Sequence, residues 1–133
     1  MKKPEIVEFF ARLAADNPHP ETELEYSNAY TLLVAVVLSA QMTDIGVNKA
    51  TRILFAEADT PEKMLALGEE ALRERLRTIN FYNTKAKNVL ALSRALIEDH
   101  GGEVPADREQ LEKLPGVGRK TANVVLNSAF GRE

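Results

Sequence analysis

Apolar residues return every three or four positions along most of this chain, broken by short polar, proline or glycine interruptions. That spacing is the signature of helices with one buried face. Pro4 to Ala15 sets Ile6, Phe9, Phe10 and Leu13 on one side, with Pro4 tolerated at a helix start. Asn17-Pro18-His19-Pro20 stops it, because each proline disfavours helix for the residue before it. Glu21 to Asn28 is polar and reads as irregular. Leu32 to Leu38 is instead an unbroken apolar run, which suits either a buried strand or a buried helix. No second strand candidate of comparable strength exists to pair with it, so a central helix buried all round is the expectation.

Further along, Thr43 or Asp44 can cap a helix from Ile45 to Glu57. Thr60-Pro61-Glu62 combines a capping hydroxyl, a proline at the first helical position and an acid in the first turn, so a short helix to Leu67 follows. Gly68 separates it from Glu69 to Thr78, whose stripe is Leu72, Leu76 and Ile79. Asn83 or Thr84 is the expected cap of a long helix reaching His100, with Gly101-Gly102 as its left-handed end. Asp107 caps a short helix carrying Leu111 and Leu114, and a last helix from Arg119 to Phe130 buries Ala122, Val125, Leu126 and Ala129. The fold class is all-α, a compact helical bundle.

Composition narrows the chemistry. The 133 residues contain no cysteine, which excludes disulfides and thiolate metal sites within them, and the two histidines, His19 and His100, are too far apart in sequence to suggest zinc. No apolar window is long enough to cross a bilayer and no secretory signal is present, so no membrane role and a cytoplasmic location are expected. A net charge of −3 argues mildly against nucleic acid, but its distribution matters more. Arg73, Arg75, Arg77, Lys85, Lys87 and Arg94 fall in one stretch opposed only by Glu74, and Lys113, Arg119 and Lys120 surround a glycine turn. The alternative is charge scattered over solvated helix faces.

That turn, Leu114-Pro115-Gly116-Val117-Gly118-Arg119-Lys120-Thr121-Ala122, is the most distinctive string. Glycines let backbone approach a ligand, and the N-terminus of the helix after it offers unpaired N–H groups and partial positive charge, a natural seat for phosphate. A nucleotide-binding P-loop is ruled out because Arg119 separates the glycine from Lys120 and no strand precedes. A dinucleotide fingerprint fails for want of a third glycine at Thr121. Lys120 is then a phosphate contact or a nucleophile, and the turn itself can equally be a plain helix corner.

The string resembles the helix–hairpin–helix of the DNA glycosylase superfamily. The chain looks like the endonuclease III family in particular at Leu38-Ser39-Ala40-Gln41-Met42-Thr43-Asp44, Val47-Asn48-Lys49-Ala50, Asn83-Thr84-Lys85-Ala86, Gly102-Glu103-Val104-Pro105 and Asn123-Val124-Val125-Leu126-Asn127. The resemblance implies a base-excision repair glycosylase with abasic-site lyase activity on oxidised pyrimidines, acting on double-stranded DNA with a damaged base or abasic site. Lys120 matches the family's Schiff-base nucleophile, where adenine glycosylases of the superfamily typically have serine or tyrosine. Gly116, Val117, Gly118, Arg119 and Thr121 match the phosphate grip. Gln41 and Phe81 match residues that fill the stack when a nucleotide is extruded. Leucine is more usual than Phe81 there, and a phenylalanine can also be a core residue.

The resemblance also sets the expected organisation: residues 1–20 as an N-terminal helix and residues 21–133 as a six-helix domain ending in the helix–hairpin–helix at 107–130. The family's activating aspartate and its four cysteines, ligands of a 4Fe-4S cluster, belong beyond Glu133. The expectations that follow are three. Asp44 is the nearest acidic candidate for the pocket, the chain alone binds DNA but is catalytically impaired, and the N-terminal apolar face is free for self-association. The competing reading is a non-catalytic helix–hairpin–helix module that only holds DNA or scaffolds another protein.

Overall fold

A computed structural model describes residues 23–130 as helices joined by short turns. The expected helix at 4–15, and the self-association face assigned to it, lie outside the described residues. In chain order the helices are α1 (Ala29–Leu38), α2 (Asp44–Glu57), α3 (Pro61–Leu67), α4 (Glu69–Arg75), α5 (Tyr82–His100), α6 (Arg108–Glu112) and α7 (Arg119–Phe130). No strand occurs among the described residues, as the patterning implied. The described residues hold seven helices, with the break at Gly68 that the pattern marked. Gly68, at φ 90°, both ends α3 and begins α4, a conformation that splits the two arms and that side-chain-bearing residues rarely adopt.

The apolar run is the central helix. Every residue from Tyr30 to Leu38 is buried, and α1 packs against α2, α5 and α7. Its start is an Asn28–Thr31 capping box: the Asn28 side chain accepts from the Thr31 amide at 2.7 Å, and Thr31 Oγ1 accepts from the Asn28 amide at 3.0 Å. A polar tie crosses the core as well. Tyr30 and Ser93 hydroxyls lie 2.6 Å apart while Ser93 donates to the Val89 carbonyl at 2.7 Å, joining α1 to α5; burial pushes the Tyr30 phenol far above its ordinary range. Helices α3 and α4 pack against α5, and α6 and α7 form a hairpin whose second arm lies on α1.

Most expected ends are found. Thr43 caps α2, Thr60 caps α3 with Pro61 at the first position, Asp107 caps α6, and Gly101 ends α5 at φ 64°. The start of α5 is different. Its N-cap is Phe81, at φ 59° and ψ 35°, with no side-chain cap bond, so neither Asn83 nor Thr84 does that work.

Candidate nucleic-acid interface

Three loops converge on the first turns of α5. Phe81, Lys85 and Asn88 stand at positions i, i+4 and i+7, so they share one side of that helix over a rise of about 10 Å. Phe81 forms the exposed tip, 63% accessible. Lys85 reaches the end of α1, donating to the carbonyls of Leu38 at 3.0 Å and Ala40 at 2.6 Å. Asn88 backs the glycine turn, where a β-carbon on Gly116 would lie 2.9 Å from its own Cβ.

The turn itself is built by local bonds. The Leu114 amide donates to the Leu111 carbonyl at 3.0 Å and the Val117 amide to the Leu114 carbonyl at 3.1 Å. Gly116 occupies φ 80°, a left-handed conformation that also brings it against Asn88. Val117, also matched to the phosphate grip, is 6% accessible and packs in the core, with its N–H donated to the Leu114 carbonyl. The remaining matched positions behave as expected of a helix N-terminus. Among the described residues, the amides of Gly118, Arg119, Lys120 and Thr121 have no acceptor, and the first bond of α7 runs from Ala122 to the Gly118 carbonyl. Gly118 is exposed, with nothing within 4 Å of where a β-carbon would sit. The turn is therefore open to an anion on its outer side.

Charge falls into two groups. Arg73 pairs with Glu69, Arg75 with Glu57 and Arg77 with Glu74, so the arginines of the basic stretch are largely compensated. Lys85 of the same stretch is not a surface charge at all but 6% accessible, and burial lowers its pKa. By contrast Lys113, Arg119 and Lys120 are exposed and form no ion pair among the described residues. Lys49, Lys87 and Arg94 are likewise exposed and form no ion pair among the described residues, so uncompensated positive charge includes, but is not confined to, the glycine turn.

Gln41 is the second exposed tip. It and Phe81 are the two non-glycine residues with positive φ among those described, at 60° and 59°. Their loops touch: Asn80 Nδ2 donates to the Gln41 carbonyl at 2.9 Å, and the Asn80 amide lies 3.4 Å from Met42 Sδ. Asp44, the acidic candidate for the pocket, accepts from the Glu23 amide at 3.1 Å, while Asn48 beside it accepts from the Glu25 amide at 2.8 Å. Both hold the segment before α1. Lys85 and Asn80 are the residues sequence reasoning passed over. Only the pairing of a lysine in an otherwise apolar stripe, Lys85 with Ala86 and Val89, hinted at burial.

An iron–sulfur cluster of the kind the resemblance implies finds no ligands here. The sequence has no cysteine, and among the described residues no group of three His, Asp or Glu side chains is placed to hold a metal. No helix of the described residues is long and apolar enough to cross a membrane.

Comparison with known proteins agrees with this geometry. Residues 34–131 match the family described as HhH-GPD superfamily base excision DNA repair protein. The chain is 56% identical over 131 residues to Endonuclease III of Escherichia coli (strain K12), a match covering 98% of this chain and 62% of that protein's length. Two solved structures align with a TM-score of 0.83 and 49% identity, each over 90% of this chain and 56% of its own. One is a non-covalent Endonuclease III–DNA complex, the other a trapped Endonuclease III–DNA covalent intermediate.

Proposed function

The chain belongs to the HhH-GPD superfamily of base excision DNA repair proteins, and on that footing we propose that it carries the DNA grip and nucleophile of a glycosylase with abasic-site lyase activity. The observation that carries this reading is Lys120: an exposed, unpaired amine in the first turn of α7, directly after a glycine turn with four unpartnered amides. A DNA phosphate seated on those amides sets the backbone of a damaged strand beside the amine. Substrates are double-stranded DNA bearing an oxidised pyrimidine or an abasic site, with the damaged nucleotide turned out of the stack and Gln41 and Phe81 filling its place.

The chemistry balances without a cofactor. The Lys120 amine, in its neutral form, either displaces the base at C1′, the base leaving with a proton and the C1′–O4′ bond then opening to the imine as O4′ is protonated, or condenses with the aldehyde of an open abasic sugar and loses water. The resulting imine acidifies the C2′ protons. Loss of one of them expels the 3′ phosphate oxygen with its bonding electrons, and the strand breaks on the 3′ side.

Borohydride trapping tests the reading. Reduction of the imine should join the chain to a duplex containing an abasic site, with the modified peptide containing Lys120. Lys120→Ala should abolish the adduct while retaining salt-sensitive duplex binding. Binding of that kind by the unaltered chain, with no adduct, would instead identify a module that only holds DNA.

A further inference from the structure

The two exposed tips are fastened together by residues to which the proposed reaction gives no role. Gln41 sits in the turn Ser39–Thr43 and Phe81 at the head of α5, separated by 40 positions in sequence yet bridged by Asn80, whose side-chain amide donates to the Gln41 carbonyl. From below, the buried Lys85 ammonium takes the carbonyls of Leu38 and Ala40, the last turn of α1 and the residue before Gln41. Its own amide donates to the Phe81 carbonyl at 2.9 Å, so one residue contacts the backbone of the Phe81 tip and that of the residue preceding Gln41. Met42 adds a third fastening: its sulfur faces the Asn80 amide, and its methyl group occupies the space beside Gly46, where a β-carbon would approach it to 2.9 Å.

Both tips also carry positive φ without being glycine. Such a conformation is strained for a residue with a side chain and persists only where surrounding bonds impose it. Lys85 and Asn80 supply those bonds. A lysine nine-tenths buried is itself costly unless its protons are taken, and here two helix-end carbonyls take them.

We infer that Lys85 and Asn80 are positioning residues that join the Gln41 and Phe81 tips into one preformed wedge, which enters damaged DNA as a unit. This rests on the stack-filling role of the two tips proposed above. A preformed wedge avoids the ordering cost that two independent mobile loops would incur on insertion. Its effect is confined to DNA that can accept the wedge. Contacts of the glycine turn with phosphate are independent of it, so loosening the wedge should weaken binding to a duplex with a gap in its stack and leave binding to intact duplex alone.

The experiment compares the full chain with Asn80→Ala and Lys85→Met on two duplexes, one intact and one carrying a tetrahydrofuran abasic-site analogue opposite 2-aminopurine. Affinity for each and the fluorescence of 2-aminopurine, which reports disturbance of the stack opposite the gap, are read together with the melting temperature. Asn80 is exposed, so its replacement tests the wedge without emptying the core. The preference for the abasic duplex should fall by about fivefold in Asn80→Ala and by about thirtyfold in Lys85→Met, from the usual strengths of neutral and charged hydrogen bonds. The 2-aminopurine signal should diminish in step, and intact-duplex affinity should stay the same. Equal loss on both duplexes, or an unchanged preference in folded Asn80→Ala, overturns the inference, and this second variant decides the matter if Lys85→Met does not fold. Absence of any abasic preference in the unaltered chain would overturn the stack-filling reading itself and the inference with it.

Discussion

The glycine turn and the two-tip wedge both rest on α5, yet they are built on opposite principles. The turn is local. Its bonds run between residues three apart, its left-handed position is a glycine, and the amides it leaves unpaired belong to the helix that follows it. The wedge is assembled from afar. Its bonds join Asn80 to Gln41 and Lys85 to Leu38 and Ala40, and its left-handed positions carry full side chains. A phosphate grip needs only a backbone path, so a short string of turn residues can encode it. A wedge must hold side chains outward on a conformation those side chains resist, so it needs distant partners to impose that conformation.

The sharpest division lies within the turn, between its two glycines. Gly116→Ala forces a β-carbon onto a left-handed position and to within 2.9 Å of Asn88 Cβ. It should lower the unfolding free energy by about 2–4 kcal/mol, combining backbone strain with overpacking. Gly118→Ala meets nothing within 4 Å and has no positive φ. It should leave stability within about 0.5 kcal/mol and weaken duplex binding, because the added methyl lies where the proposed phosphate approaches. Urea unfolding and binding to intact duplex check both. A stable Gly116→Ala, or full binding by Gly118→Ala, would mean the turn does not divide its work between a structural and an approach glycine.

The wedge should respond in the reverse sense. Phe81→Gly and Gln41→Gly relieve a left-handed conformation, and little burial is lost at exposed tips. Each should raise stability by about 0.5 kcal/mol, the relief of strain less the added entropy of an unfolded glycine. Each should also reduce the preference for abasic over intact duplex. Stabilisation with loss of discrimination is the signature of strain retained for function. Destabilisation of either variant would show that the tip contributes packing, and the contrast with the glycine turn would collapse.

This contrast also explains what could be read in the chain beforehand. The uninterrupted run to Leu38, the Thr60-Pro61 start and the Asp107 cap each express a local preference, and each is found in place. The string from Leu114 to Ala122 suggested a phosphate grip for the same reason. Legibility failed where a residue answers to a partner far along the chain. Lys85 reads as one more charge in a basic stretch until α1 is laid across it, and Val117 reads as part of an exposed turn until its side chain is seen in the core. Phe81 carries no capping group, so nothing local marks it as the N-cap of α5, and Asn83 and Thr84 offered better chemistry that the fold does not use.

Acid offers the mildest way to separate the wedge from the rest of the fold. Two bidentate pairs fasten α2 at its outer side: Arg52 holds Glu25 at 2.8 and 2.6 Å, and Arg75 holds Glu57 at 2.8 and 2.9 Å. In each, the arginine hydrogen bonds keep the carboxyl below its ordinary range. A carboxylate with a depressed folded-state pKa contributes stability that is complete above its unfolded value, about 4.3 for glutamate. That stability is lost as pH falls through the folded value. The contribution is small, because Arg52 and Glu25 are largely exposed and Arg75 and Glu57 about a third exposed, so solvent screens both pairs. The wedge's ties use no carboxylate: lysine, asparagine and backbone carbonyls hold it. Lowering the pH through this window should therefore loosen the segment before α1 while the Asn80 and Met42 amides stay protected, which residue-resolved hydrogen exchange can follow. Arg52→Gln should remove most of the acid response at Glu25 and leave the wedge amides unchanged. Simultaneous opening of both regions would make the wedge an extension of the α2 tether rather than a separately fastened device.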